Sequence, residues 1–345
     1  MGENCSPEQM VGVAEHEKES PPGVNVVYYV ELPVEIVRPD QRGKMLTSLI
    51  TQPMTSEEFS PRLVDHLANG GNGISLALSD IDEDTAAAIR ILNESNVPVI
   101  GWVVLPDNLG YWTNAANVEE TRRVVENIFR KTERYNIRLA GLGFDSEIPI
   151  SLSRAFNQIN PRCPSTIWDY FIALEAYRKA KINERQKYGD PQRNMDTLLW
   201  LLRERGITTE TYVMTGVGEF LFNQLRIESD RTVEMLYTST APRILQPLIL
   251  GLMRNRRTIP ALGIYSGIKN QEPGRDLCAG KMPGHLSYTD LLEDLRVLMR
   301  QGVISPRGEK LGLRQTYLFA LNHPSVVTDM ERALACAAEA TKRSL

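Results

Sequence analysis

Three residues at the end of the run AGLGFDSE carry the clearest chemical signal in the chain: Asp145, Ser146 and Glu147. Side chains two apart on a strand point to the same side, so both carboxylates share one face. Like charges so close repel, and with partial burial one acid keeps its proton beside an ionised neighbour. That is the arrangement general acid catalysis needs. The plainer reading is a pair of strand-end acids held by arginines. The pair could also hold a magnesium ion.

Aromatic residues flank this chemistry in sequence. Trp102, Tyr111 and Trp112 lie in GWVVLPDNLGYWTN, and Tyr28, Tyr29 and Glu31 lie near the end of VNVVYYVEL. Such rings stack on a sugar face or enclose an apolar ligand, and each is equally at home in core packing. His323 follows the last apolar run in LNHP, and His285 stands far from any partner at metal-ligand spacing. With no HxH or HExxH pattern, neither a dedicated zinc site nor a cofactor is expected.

The elements that must position these groups repeat eight times. The runs VNVVYYVEL, GISLAL, VPVIGWVVL, RLAGLGFDSE, TETYVMT, TVEMLYTS, IPALGIYS and QTYLFAL are apolar without strict alternation, as strands covered on both faces are. Helical patterns separate several of them. EETRRVVENIFRKTERY puts Val124, Val125, Ile128 and Phe129 on one stripe, and a helix from Ser287 carries Leu291, Leu292, Leu295 and Leu298 with Gly302 at its end. Eight strand–helix units predict an α/β fold, a closed TIM (β/α)8 barrel, whose working groups gather at the C-terminal ends of the strands. The open doubly wound alternative usually carries a glycine-rich turn after its first strand, and VELPVEIVRPD has no glycine.

Two segments exceed what a barrel needs. Residues 149–206 read as a helical insertion after strand four, one helix carrying Ile167, Phe171, Leu174 and Tyr177 and the other Leu198, Leu199, Leu201 and Leu202. Residues 266–285, rich in Gly and Pro, form a long loop after strand seven that serves either as a lid or as surface slack.

The 345 residues fit one elaborated barrel over 23–345, preceded by a disordered tail over 1–22. A net charge of -4 offers no electrostatic footprint for nucleic acid or anionic membrane. Four scattered cysteines suit a reducing compartment, and the polar start lacks the apolar core of a secretory leader, so the expected location is cytoplasmic. No run reaches the ~20 apolar residues of a membrane span.

AGLGFDSE resembles the DxxDxDxE signature on the fourth barrel strand of family 18 glycoside hydrolases, the chitinases and their relatives. MLYT, residues 235–238, is similar to that family's MxYD on the sixth strand. The resemblance implies that Glu147 protonates the glycosidic oxygen. It implies that Asp145 orients a 2-acetamido group whose carbonyl attacks the anomeric carbon, and that Tyr237 bonds the same group. Ala140, Gly143 and Thr238 stand where the motifs have aspartates, and TYLFALNH does not end in the family's tryptophan. Three functions follow. The first is a hydrolase of a glycoside or related acetal, with a saccharide or other small molecule bound by Glu31, Trp102, Tyr111, Trp112, Tyr28 and His323. The second is a lyase, isomerase or cyclase of secondary metabolism using the same acids. The third is a non-catalytic carbohydrate-binding protein.

Overall fold

The computed structural model describes residues 25–30, 41–54, 60–149, 151–152, 166–214, 225–235, 258–263, 303–304, 310–311, 315–319 and 327. Its strands are β1 (Asn25–Val30), β2 (Gly73–Leu78), β3 (Val99–Val103), β4 (Gly141–Asp145), β5 (Thr208–Met214), β6 (Arg231–Met235), β7 (Thr258–Gly263), β8 (Val303–Ile304), β9 (Lys310–Leu311) and β10 (Gln315–Phe319). Eight of them close in the order β1, β2, β3, β4, β5, β6, β7, β10, every pair parallel. Each predicted strand run contributes one. The fold is the α/β barrel expected from the sequence. The antiparallel hairpin β8–β9 lies outside the barrel sheet.

The helices among the described residues are α1 (Arg42–Thr51), α2 (Leu63–Asn69), α3 (Glu83–Glu94), α4 (Val118–Tyr135), α5 (Thr166–Tyr188) and α6 (Pro191–Glu204). Local chemistry sets their ends. The Asp82 carboxylate accepts the Thr85 N–H at 2.7 Å to start α3. Asn136, in the left-handed region at φ 49°, stops α4. Asp190 caps α6, with Pro191 in its first turn. On α4, Val125 and Ile128 are buried while Val124 and Phe129 pack at the edge of the same cluster, as their spacing predicts.

The insertion after β4 holds α5 and α6. Glu184 of α5 is buried and accepts the backbone N–H of Glu119 at 2.8 Å, which fastens α5 to the first turn of α4. Burial raises the proton affinity of that carboxyl. On α6, Leu198, Leu199 and Leu202 are buried and Leu201 is exposed; on α5, Tyr177 is buried but Phe171 is exposed, contrary to the stripe read from the sequence.

Strand alternation sorts the interior into two layers. Val26, Tyr28, Val30, Ile74, Leu76, Leu78, Leu142 and Phe144 join the helices in an outer cluster. Val27, Tyr29, Ile100, Trp102, Tyr212, Val233 and Tyr317 fill the bore. Residues 1–22 and 266–285 and the helix expected from Ser287 lie outside the described residues.

Candidate active site

Asp145 is the last residue of β4. Leu142 and Phe144 face the helices, so Gly141, Gly143 and Asp145 take the opposite, inward side. Asp145 is only 3% exposed and pairs in register with Tyr212 of β5. The chain stays extended one residue further. The Ser146 N–H donates to the Tyr212 carbonyl at 3.2 Å, its Oγ donates to the Leu225 carbonyl at 3.0 Å, and Ser146 bridges Thr113 in parallel. Glu147 follows, half-buried.

The bridge to Thr113 brings the loop after β3 against the end of β4. The Tyr111 and Trp112 rings meet edge-on at 5.5 Å; Trp112 is buried and Tyr111 half-buried. Tyr111 has φ 64°, a left-handed backbone conformation that a bulky residue rarely adopts, beside Gly110 at φ 104°. Buried polar side chains hold it there. The Asn117 amide donates to the Leu109 and Trp112 carbonyls at 2.8 and 2.9 Å, Asn114 donates to the Trp112 carbonyl at 2.9 Å, and the Leu105 N–H donates to the Tyr111 carbonyl at 2.8 Å. Both asparagines escaped the sequence reading, although an Asn pair three apart ahead of a helix is a turn and capping signal.

Below Asp145 the bore is aromatic. Tyr29 lies 5.6 Å from Trp102, 5.2 Å from Tyr212 and 5.2 Å from Tyr317, ring centre to ring centre. Trp102 is thus a buried member of this stack rather than an open platform. Tyr28 is corrected: it faces the outer helices, because neighbours on a strand point to opposite sides and Tyr29 takes the bore. Glu31, Tyr237 and His323 lie outside the described residues.

The sequence reading also missed a polar cluster on β5. Glu210, 1% exposed, lies in register with Gly143. Its carboxylate accepts from the hydroxyls of Tyr317 and, at 3.3 Å, Tyr212, and pairs with Arg231 at 3.3 Å. Ser75 Oγ is 3.0 Å from the Tyr212 hydroxyl. Burial outweighs these partners and raises the proton affinity of Glu210, and it raises that of the two tyrosines as well. Gly143 is required here, since a Cβ on it would overlap the Tyr212 ring and hydroxyl. The acid that the resemblance would place at position 143 therefore has no room, and a carboxyl stands across the strand pair at 210 instead. One signal was available: Glu210 and Tyr212, two apart in TETYVMT, put a charge and a phenol on one side of an otherwise apolar sheet.

A cavity of about 250 Å³ opens at the N-terminal end of the barrel, the end away from Asp145, lined by Val27, Ile100, Thr208, Glu210 and Arg231 among others. The described residues contain no group of three or more His, Cys, Asp or Glu placed to hold a metal. No helix among them is long and apolar enough to cross a membrane.

No family model matches the chain, and no curated protein matches it. Solved structures share its general course. A GH18 chitinase from Pseudoalteromonas aurantia aligns over 91% of this chain and 99% of its own, at 12% identity and TM-score 0.44. The spore cortex-lytic enzyme SleL of Bacillus megaterium aligns over 90% and 75%, at 11% identity and TM-score 0.40. Gas2p of Saccharomyces cerevisiae, in complex with laminaripentaose, aligns over 79% and 57%, at 9% identity and TM-score 0.37. Likenesses this distant carry no argument about substrate, and the barrel stands on its own strand pairing.

Proposed function

We propose that this barrel is a glycosidase-like hydrolase of a glycoside or related acetal, in which Glu147 works as general acid and base with Asp145 beside it. The observation that carries the reading is the placement of Asp145, inward and buried at the C-terminal end of β4, with Glu147 two residues on along a backbone held extended by Tyr212, Leu225 and Thr113. Glu147 donates a proton to the departing oxygen and later takes one from the attacking water. Asp145 keeps a second carboxyl close enough to bias which of the two is protonated. Tyr111 and Trp112 supply an aromatic wall beside the acids. Tyr237, Glu31 and His323 complete the set on the strength of their places in the sequence, the first through its resemblance to the MxYD tyrosine.

Glu147→Gln keeps shape and removes the transferable proton, so folding survives and turnover falls by roughly 10²-fold or more. A substrate screen comes first, and an undiminished rate in that variant overturns the assignment. The aromatic bore under Asp145 favours one second reading, a lyase, isomerase or cyclase that uses the same acids on a less polar substrate. Reaction in ¹⁸O-labelled water separates the two, since only hydrolysis places a solvent oxygen in the product.

A further inference from the structure

Glu210 is a buried acid with no place in the reading above, and its surroundings are specific. Tyr317 of β10, Tyr212 of β5 and Arg231 of β6 all aim donors at its two oxygens. The Tyr212 ring rises from that contact past Gly143 to the level of Asp145, its register partner. Asp145 and Glu210 stand on adjacent strands with that phenol between them, separated by two residues of strand, about 7 Å along the axis. Arg231 is 45% exposed and lines the N-terminal cavity with Glu210, so the lower acid, itself buried, is reached from the end opposite the proposed site through its guanidinium partner. Apart from Glu210 and Arg231, the residues lining that cavity, Val27, Ile100 and Thr208 among them, carry no charge.

We propose that Glu210 is a positioning acid: held by Tyr212, Tyr317 and Arg231, it sets through the Tyr212 phenol the charge and orientation that Asp145 meets. The proposal rests on the reading of Asp145 as the partner of Glu147. Tyr212 feels both carboxylates, each of which disfavours its ionisation. Its single O–H is directed at Glu210, with Ser75 Oγ beside it, so Tyr212 stays neutral and its buried ring separates the two acids in a low-dielectric layer across which their charges act on one another.

The test needs no substrate. In protein labelled with ¹³C at glutamate carboxyls, the Glu210 resonance is the one lost in Glu210→Gln. Its midpoint should lie above the ordinary glutamate range, and Asp145→Asn should lower it by about half a unit or more because a like charge is gone. Tyr212→Phe should raise it, because a donor to the carboxylate is removed. A Glu210 midpoint that Asp145→Asn leaves within about 0.1 unit of its original value overturns the proposal, because coupled acids move one another. If Asp145→Asn does not fold, the unaltered protein labelled at aspartate decides. A coupled Asp145 shows a second inflection at the Glu210 midpoint, and a single inflection overturns the proposal. A fully active Glu147→Gln would sink the hydrolase reading while leaving this coupling intact; an unmoved midpoint would do the reverse.

Discussion

Asp145 and Glu210 are equally hidden, at 3% and 1% exposed, on neighbouring strands of one sheet, yet their company differs. Glu210 sits low in the bore, answered by two hydroxyls and a guanidinium from three strands. Asp145 sits at the top, where the sheet gives way to the loop carrying Tyr111 and Trp112 and to the half-buried Glu147. Regular strands satisfy the lower acid. Irregular backbone, held by Asn114 and Asn117 in a strained course at Tyr111, surrounds the upper one. Burial alone therefore does not separate the two acids; what separates them is that strained backbone lies beside the upper one and regular strands hold the lower one.

Four experiments press on that contrast. Trp102→Ala hollows the aromatic stack between the two levels and should cost about 3–5 kcal/mol in chemical denaturation, the cost of removing a large buried ring. If the loss is much smaller, the levels are not joined by tight packing. Gly143→Ala drives a methyl into Tyr212 and should cost about 1–3 kcal/mol by the same measurement, as overpacked cores do. Its effect should show at both acids. Asn117→Ala strips the upper loop of three side-chain hydrogen bonds, two given to the Leu109 and Trp112 carbonyls and one accepted from the Asn114 N–H, and should cost about 1–3 kcal/mol. It should impair turnover more than its stability loss explains while leaving the Glu210 midpoint unchanged. The smallest effect is a slope. Because the folded barrel holds the Glu210 proton more tightly than the ordinary value of 4.5, stability from this group is full below that value. It is lost as pH rises through the folded midpoint. Stability of the natural protein relative to Glu210→Gln should fall across that window and then level off; a flat difference would mean that Glu210 titrates alike folded and unfolded.

The barrel was legible because all eight strands are apolar runs bounded by polar or glycine-bearing segments, and the upper acid pair was legible because it closes one of them. Facing was less so. In VVYYV no polar residue marks the period, so nothing local says that Tyr29 and not Tyr28 enters the bore. On α5, Trp168, Phe171, Ile172 and Ile182 are all exposed, and apolar residues spread around a helix give no reliable stripe. Glu210 went unread for a related reason. Its three partners come from positions 212, 231 and 317, and only closure of the sheet brings them together.

The stacked rings of Tyr29, Trp102, Tyr212 and Tyr317 pack across the bore beneath Asp145. Among the described residues, this layer of packed rings stands between the cavity at the foot and Asp145 at the rim. Under the proposed function, substrate and water would both reach Asp145 from the rim side of that layer, so they would share one approach and the order of their arrival would bear on the rate.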